Sequence, residues 1–272
     1  MKEIKELKEI QTIELEILKF VDKVCRENNI IYTLTGGTAI GAIRHVGFIP
    51  WDDDIDIMMP REHYEKFLRV INNYNDSFKC LHFPNKNYFY SFAKVVDTRT
   101  VLTENNLLEI DDMGIYIDVF PMDYMNPKTA KRDAKKVGRL KTLATLAATT
   151  KFEKSKWGFA KTIVKFGVFI IAKMFGYKFW IKKIENILKK IAKNPESKSN
   201  MGVYSQIYYE KEMMPVDAAH DVIETNFEGC KFYILKSYDA YLKNIYGDYM
   251  QLPSEDKQKS HHNFKAWYKN EE

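Results

Sequence analysis

Apolar residues recur along this chain with two periods, and each period marks one kind of element. At steps of three and four, Ile10, Ile13, Ile17, Phe20, Val21 and Val24 predict a helix from about Ile4 to Asn28, ended by Asn28-Asn29. Tyr64, Phe67, Leu68 and Ile71 predict a surface helix over Glu62 to Asn72. Tyr238, Tyr241, Leu242 and Ile245 predict another, capped by Ser237 and closed by Gly247. Alternation at a step of two predicts strands. Ile30 to Leu34, Tyr88 to Val96 and Thr100 to Thr103 are β-rich, and Phe227 to Phe232 reads as a turn entering a strand. From Asp54 on, acid and aliphatic alternate, and Ile115 to Phe120 alternate strictly, with Pro121 ending the second. Three further helical faces follow: Ala130, Ala134, Val137, Leu140, Ala144 and Ala147; then Ile163, Phe166 and Ile170; then Ile181, Ile184, Leu188 and Ile191.

This mixture predicts an α+β fold, large enough at 272 residues for one sizeable core or a core with a helical appendage. A composition 45% hydrophobic and 29% charged is that of a folded chain. The net charge of +5 hides an asymmetry. From Lys131 to Lys193 there are 18 Lys/Arg against 3 Asp/Glu, so the rest of the chain carries 24 basic and 34 acidic residues. Lysine-rich apolar helices suit an anionic lipid surface, and their apolar faces equally suit capping a sheet. No stretch reaches the roughly 18 uninterrupted apolar residues that span a bilayer. Cys25, Cys80 and Cys230 are odd in number and far apart, without zinc spacing, which predicts reduced thiols. With a charged N-terminus in place of a signal peptide, the expected location is the cytoplasm, extending to the inner face of its membrane.

The candidate chemistry centres on Trp51-Asp52-Asp53-Asp54-Ile55-Asp56-Ile57. On a strand, Asp54 and Asp56 share one face while Ile55 and Ile57 enter a core. Two carboxylates held side by side repel, and a hard divalent cation offsets that repulsion. Asp118 is a lone carboxylate between Tyr116 and Phe120 on a strand otherwise built for burial, so strand pairing beside Asp54 and Asp56 would make it a third ligand. Gly36-Gly37-Thr38, between a strand and a helix starting at Ala39, groups backbone N–H donors as a phosphate site requires. Arg44-His45 closes that helix. Lys94, inside a predicted strand, is either a solvated face residue or a phosphate contact.

The run from Gly36-Gly37-Thr38-Ala39-Ile40-Gly41-Ala42-Ile43-Arg44-His45 through Gly47-Phe48-Ile49-Pro50-Trp51 to Asp56-Ile57 resembles the signature of the LicD family, bacterial phosphocholine transferases related to the fukutin proteins. Gly114 to Asp123, Phe227-Glu228-Gly229, Tyr246 to Met250, Leu252-Pro253 and His261-His262 fit the same family. Departures are small: Ala39-Ile40 stands for two leucines and Ser254 for a second proline. The resemblance implies a nucleotidyltransferase-like mixed sheet flanked by helices. Residues 1–126 would form the catalytic core, 127–200 a basic helical insertion and 201–272 a C-terminal part completing the catalytic domain. It implies transfer of phosphocholine from CDP-choline to a hydroxyl of a glycan or lipid-linked glycan, such as lipopolysaccharide or teichoic acid, with release of CMP.

In that reading Asp54, Asp56 and Asp118 bind Mg²⁺ or Mn²⁺ and are catalytic. Gly36, Gly37, Thr38, Arg44, His45, Lys94 and Trp51 form the donor site. Trp51, Tyr116 and Phe120 are the candidate cage for choline's quaternary ammonium, and His261/His262 are candidate metal or phosphate contacts. Three other readings compete: a CDP-polyol or similar donor, a nucleotidyltransferase acting on a small molecule such as an aminoglycoside, and a membrane-surface scaffold without chemistry. Lysines set among long apolar runs favour a membrane over nucleic acid, and no nucleic-acid partner is expected.

Overall fold

The structure is a computed structural model that describes residues 1–74, 77–154, 159–205, 208–259 and 264–269; His261 and His262 lie outside them. A short strand β1 (Glu3–Ile4) precedes α1 (Leu7–Glu27). β2 (Thr33–Leu34) leads into α2 (Gly36–Ile40), which continues as a π-helical turn to His45. There follow β3 (Asp56–Pro60), α3 (Arg61–Val70), β4 (Phe78–Leu81), β5 (Ala93–Asp97), β6 (Thr100–Glu104) and β7 (Tyr116–Tyr124). Beyond them lie α4 (Ala130–Ala148), α5 (Phe159–Ala192), β8 (Asn200–Gly202), β9 (Met214–Pro215) and α6 (Val216–His220). The hairpin β10 (Val222–Phe227) and β11 (Cys230–Leu235), then α7 (Tyr238–Tyr246) and β12 (Phe264–Tyr268), complete the order.

The frame is a mixed sheet ordered β2-β3-β7-β5-β4, with β8 and β9 extending it from β7. β3 and β7 are parallel and central; the other pairs are antiparallel. The stripe Ile10, Ile13, Ile17, Val21 and Val24 of α1 is buried with the sheet residues Ile55, Ile57, Ile117 and Val119 in one core. Burying each such side chain contributes about 1.5–3 kcal/mol, which makes this stripe the main reason the helix forms.

Several predicted boundaries move, each for a local reason. α1 starts at Leu7 because Glu3 and Ile4 pair instead with Trp267 and Ala266 of β12. The strand expected over Ile30 to Leu34 shortens to two residues, since Asn29 sits at φ 50° and the Ile31 N–H donates to His63 Nδ1 (3.1 Å). Of Tyr88 to Val96 only Ala93 onward is strand; Tyr88 donates its hydroxyl to the Phe92 carbonyl (2.8 Å) and folds the aromatic run on itself. β7 runs through Pro121 to Tyr124, whereas the sequence placed its end at Pro121. The Asp118 N–H faces β3, donating to the Ile55 carbonyl (2.9 Å). Position 121 therefore faces the β5 side, where pairing has already stopped at Ala93↔Val119, and a missing N–H costs nothing there.

The basic segment packs as a helical pair with its own small core. Ala130, Ala134, Val137, Ala144 and Ala147 of α4 meet Ala172, Trp180, Ile181 and Ile184 of α5. Gly176, at φ 73° and ψ 159°, breaks α5 into two halves. The second half packs against α4, whereas Ile163, Phe166 and Ile170 in the first are exposed. Cys25, Cys80 and Cys230 are free thiols.

α7 is tied to the start of α2 through a buried polar chain. The Tyr241 hydroxyl lies 2.7 Å from Thr35 Oγ1 and 2.9 Å from Glu212 Oε2, and Glu212 is fully buried. Burial pushes the Glu212 carboxyl up to about 8, with the Tyr241 hydroxyl opposing the rise. Unfolded, this group loses its proton near 4.5, so between those values the folded chain holds more protons and stability falls as pH rises. Glu212→Gln keeps an acceptor for Tyr241 and has no proton to lose. Urea unfolding is therefore expected to show a shallower decline from pH 5 to pH 8 in Glu212→Gln, with the variant the more stable at pH 8.

Candidate active site

The turn that joins β2 to α2 is clamped to the head of β3. The Thr35 N–H donates to the Asp56 carbonyl (3.1 Å), and the Asp56 N–H donates to Thr38 Oγ1 (2.8 Å). Thr38 is thereby buried, its hydroxyl spent on holding the acidic strand, while its backbone belongs to the first turn of the helix. Both glycines are required by close approach. A Cβ on Gly36, at φ 56°, would lie 3.2 Å from Asp56 Oδ2, and one on Gly37 would lie 2.6 Å from Asp52 Oδ2. The acidic side chains thus lie directly against the turn.

Parallel pairing of β3 with β7 brings the third acid alongside, with Asp56 opposite Asp118. Antiparallel pairing of β5 with β7 sets Lys94 opposite Asp118 from the other side. Lys94 is 2% exposed, donates to Asp118 Oδ1 (2.7 Å) and stands 3.4 Å above the Tyr116 ring centre. It is neither a solvated strand residue nor part of the pocket wall; it supports Asp118 from behind. Tyr116 is likewise removed from the predicted ammonium cage, because Lys94 occupies its ring face.

In front of the acids opens a pocket of about 940 Å³. Its polar wall includes Gly36, Gly37, Asp52, Asp54, Asp56 and Asp118. Its aromatic wall is Trp51, Phe92, Phe120, Tyr208, Tyr246 and Tyr249, so Trp51 and Phe120 of the predicted cage face the space. Arg44 reaches the same space, with its guanidinium donating to the carbonyls of Tyr249 (2.6 Å) and Gln251 (3.2 Å). His45 accepts from Arg44 Nε (2.9 Å) and packs edge-on to Trp51, behind the wall. Burial, then the Arg44 charge, holds the His45 imidazole below its usual range.

The acids share an electrostatic problem. Burial raises the Asp56 carboxyl well above the usual carboxylate range, and the charges of Asp54, Asp118 and Asp52 raise it further against the pull of Lys94. Glu14, from the buried side of α1, adds a fifth carboxyl that nothing in the sequence pattern marked. It is raised by burial and then by Asp54, Asp53, Asp52 and Asp56, and its Oε2 has no hydrogen-bond partner. Hard carboxylate oxygens crowded on one wall of a pocket fit a divalent cation. Their chemistry fits although their spacing is open: the three aspartates' oxygens are not gathered as closely as those of a tight ligand trio.

Among the described residues the trio gathered that closely is Glu62, His63 and His220. Its protons argue against a metal. His63 Nδ1 accepts from the Ile31 N–H, which leaves Nε2 protonated in the neutral ring. His220 has Nδ1 2.8 Å from the Val216 carbonyl and Nε2 2.6 Å from Glu62 Oε1, two contacts that together suit an imidazolium. That trio is a helix-anchoring ion pair.

Three pocket residues, Lys141, Tyr246 and Tyr249, were not singled out from the sequence. Lys141 was one of 18 basic residues in its segment and had no motif of its own. The tyrosines 246 and 249 belonged to a recognised motif but carried no signal of facing the acids.

Comparison with known proteins gives three findings. Residues 29–141 match the model of the LicD/FKTN/FKRP nucleotidyltransferase domain. The chain is 33% identical over 268 residues to the lipopolysaccharide cholinephosphotransferase LicD of Haemophilus influenzae, covering 94% of this chain and 96% of that protein. It is also 28% identical over 144 residues to mannosyltransferase regulator 4 of Saccharomyces cerevisiae, covering 47% of this chain and 12% of that one.

Removing Lys94 leaves Asp118 with its charge and one fewer partner. Lys94→Met is expected to cost about 3 kcal/mol in urea unfolding, and adding Asp118→Asn should recover part of it. Equal stability of Lys94→Met and wild type would mean that the pair does not hold Asp118.

Proposed function

The chain belongs to the LicD family, and from that membership we propose that it transfers phosphocholine from CDP-choline to a hydroxyl of a cell-surface glycan and releases CMP. The observation that carries the reading is a trio of aspartates, Asp56 and Asp118 on paired strands and Asp54 just before β3, facing one pocket beside the Gly36-Gly37 turn. The name of the Haemophilus influenzae relative supplies the class of cargo and acceptor.

Asp54, Asp56 and Asp118 would hold Mg²⁺ or Mn²⁺, which when bound polarises the phosphoryl oxygens and neutralises developing charge. The chain's own groups do the rest. The Gly37 and Thr38 N–H groups, with Arg44, receive the diphosphate. Asp118, held in place by its ion pair with Lys94, accepts the proton of the attacking hydroxyl. Trp51 and Phe120 offer ring faces to a trimethylammonium, which takes no hydrogen bond and is held by aromatic quadrupoles.

A lipid-linked acceptor suits the first half of α5. Phe159 is 82% exposed, Met174 71% and Val164 68%, with Ile163, Phe166, Ile170, Ile171 and Phe175 also open. No acidic residue occurs between Glu153 and Glu185, while Lys161, Lys165 and Lys173 punctuate the apolar run. An apolar helix edged by lysine lies in the interface of an anionic bilayer. No helix among the described residues is long and apolar enough to cross one.

Incubation with CDP-choline, Mg²⁺ and a glycan acceptor is expected to yield CMP. Asp54→Asn, Asp56→Asn and Asp118→Asn should each lower that rate by about 10³-fold while the fold is retained. Pyrophosphate released from ATP, without CMP from CDP-choline, would favour a nucleotidyltransferase instead. In sedimentation, vesicles containing phosphatidylglycerol should carry the protein down and Phe159→Ser/Met174→Ser should weaken this. Self-association without lipid binding would assign the exposed half of α5 to a second copy of the chain.

A further inference from the structure

The basic segment sends one lysine into the acidic pocket. Lys131, Arg132, Lys135, Lys136 and Arg139 of α4 are exposed on its outer side. Lys141 instead turns inward and lines the pocket together with Asp118, Phe92 and Ser205. Its ammonium donates to the Ser205 carbonyl and stands 5.9 Å from the Phe92 ring centre. Beside it, Ser205 Oγ is buried and has no hydrogen-bond partner.

The geometry points to Lys141 and Ser205 as an anion-binding pair that receives the diphosphate of the donor, so that the helical segment supplies part of the catalytic pocket; this rests on the donor reading above. Asp118 already has its counter-charge in Lys94, at 2.7 Å. The Lys141 ammonium, partly buried, is bonded to a neutral carbonyl and not to a carboxylate in direct contact; burial lowers its affinity for the proton, with Asp118 opposing and Lys94 assisting. An unpartnered hydroxyl beside it is a second donor of the kind phosphoryl oxygens require. In the transfer, the acceptor oxygen forms a bond to phosphorus as the bond to the CMP oxygen breaks. The leaving electron pair stays on that oxygen, and the hydroxyl proton passes to Asp118. Lys141 and Ser205 bind the non-bridging oxygens on which charge accumulates, opposite the aspartates.

Calorimetric titration with Mg²⁺ present, using CDP-choline, CMP and inorganic pyrophosphate as probes, tests this in wild type, Lys141→Met, Lys141→Arg, Ser205→Ala and the outer-face control Lys135→Met. Loss of a charge-assisted contact predicts roughly 10- to 100-fold weaker CDP-choline and pyrophosphate binding by Lys141→Met. A few-fold loss is expected for Ser205→Ala, near-wild-type binding for Lys141→Arg, and no change for Lys135→Met. Unchanged binding of both diphosphates by Lys141→Met, with a lowered melting temperature, overturns the proposal and makes Lys141 a structural counter-charge. If wild type binds pyrophosphate but neither CDP-choline nor CMP, the donor reading falls while pyrophosphate binding by Lys141→Met still decides the site. Failure of wild type to bind any of the three overturns both.

Discussion

The parallel pairing of β3 with β7 is the constraint on which the rest depends. It sets Asp56 opposite Asp118 and gives one sheet face a cluster of carboxylates that repel. A side-chain period of two means that a one-residue slip would turn these acids into the core and Ile55, Ile57 and Val119 out of it. The apolar residues of these two strands, buried with the α1 stripe, therefore fix the place of the acids. Core burial secures an arrangement that electrostatics alone would oppose.

Lys94 relieves part of that charge by reaching Asp118 from β5. The Gly36-Gly37 turn leaves room for the side chains of Asp52 and Asp56, and Gln11 of α1 holds the acidic run in place by donating to the Asp52 backbone carbonyl (2.9 Å). α7 and the loop after it close the far wall through Tyr246 and Tyr249, and the buried Tyr241–Glu212–Thr35 chain joins that wall to the turn. Residues distant in sequence thus meet because the chain's last third folds back over its first.

The centre of this arrangement was legible in sequence. Alternation of acid and aliphatic from Asp54 and strict alternation over Ile115–Phe120 mark two strands, and the carboxylates out of place on each mark the face they share. What surrounds the centre was less legible, for physical reasons. A strand lysine looks the same whether solvated or buried, and only the β5–β7 register shows that Lys94 is paired with Asp118. Pro121 reads as a stop, yet it falls in the gap between the β5 pairing, which ends at Val119, and the β8 pairing, which begins at Asp123. Glu14 sits on the buried stripe of α1, where a carboxyl is unexpected and periodicity is silent about its neighbours. In the basic segment, apolar spacing predicted helices correctly but could not tell the packed half of α5 from the exposed one; the break at Gly176 separates them.

The central claim is that Asp54, Asp56 and Asp118 share one divalent ion. Crystals soaked in Mn²⁺ and measured for anomalous scattering test it most directly. The account predicts a manganese peak within about 2.0–2.6 Å of oxygens from these aspartates. A peak confined to Glu62, His63 and His220, or no peak at the aspartates at saturating Mn²⁺, would contradict it.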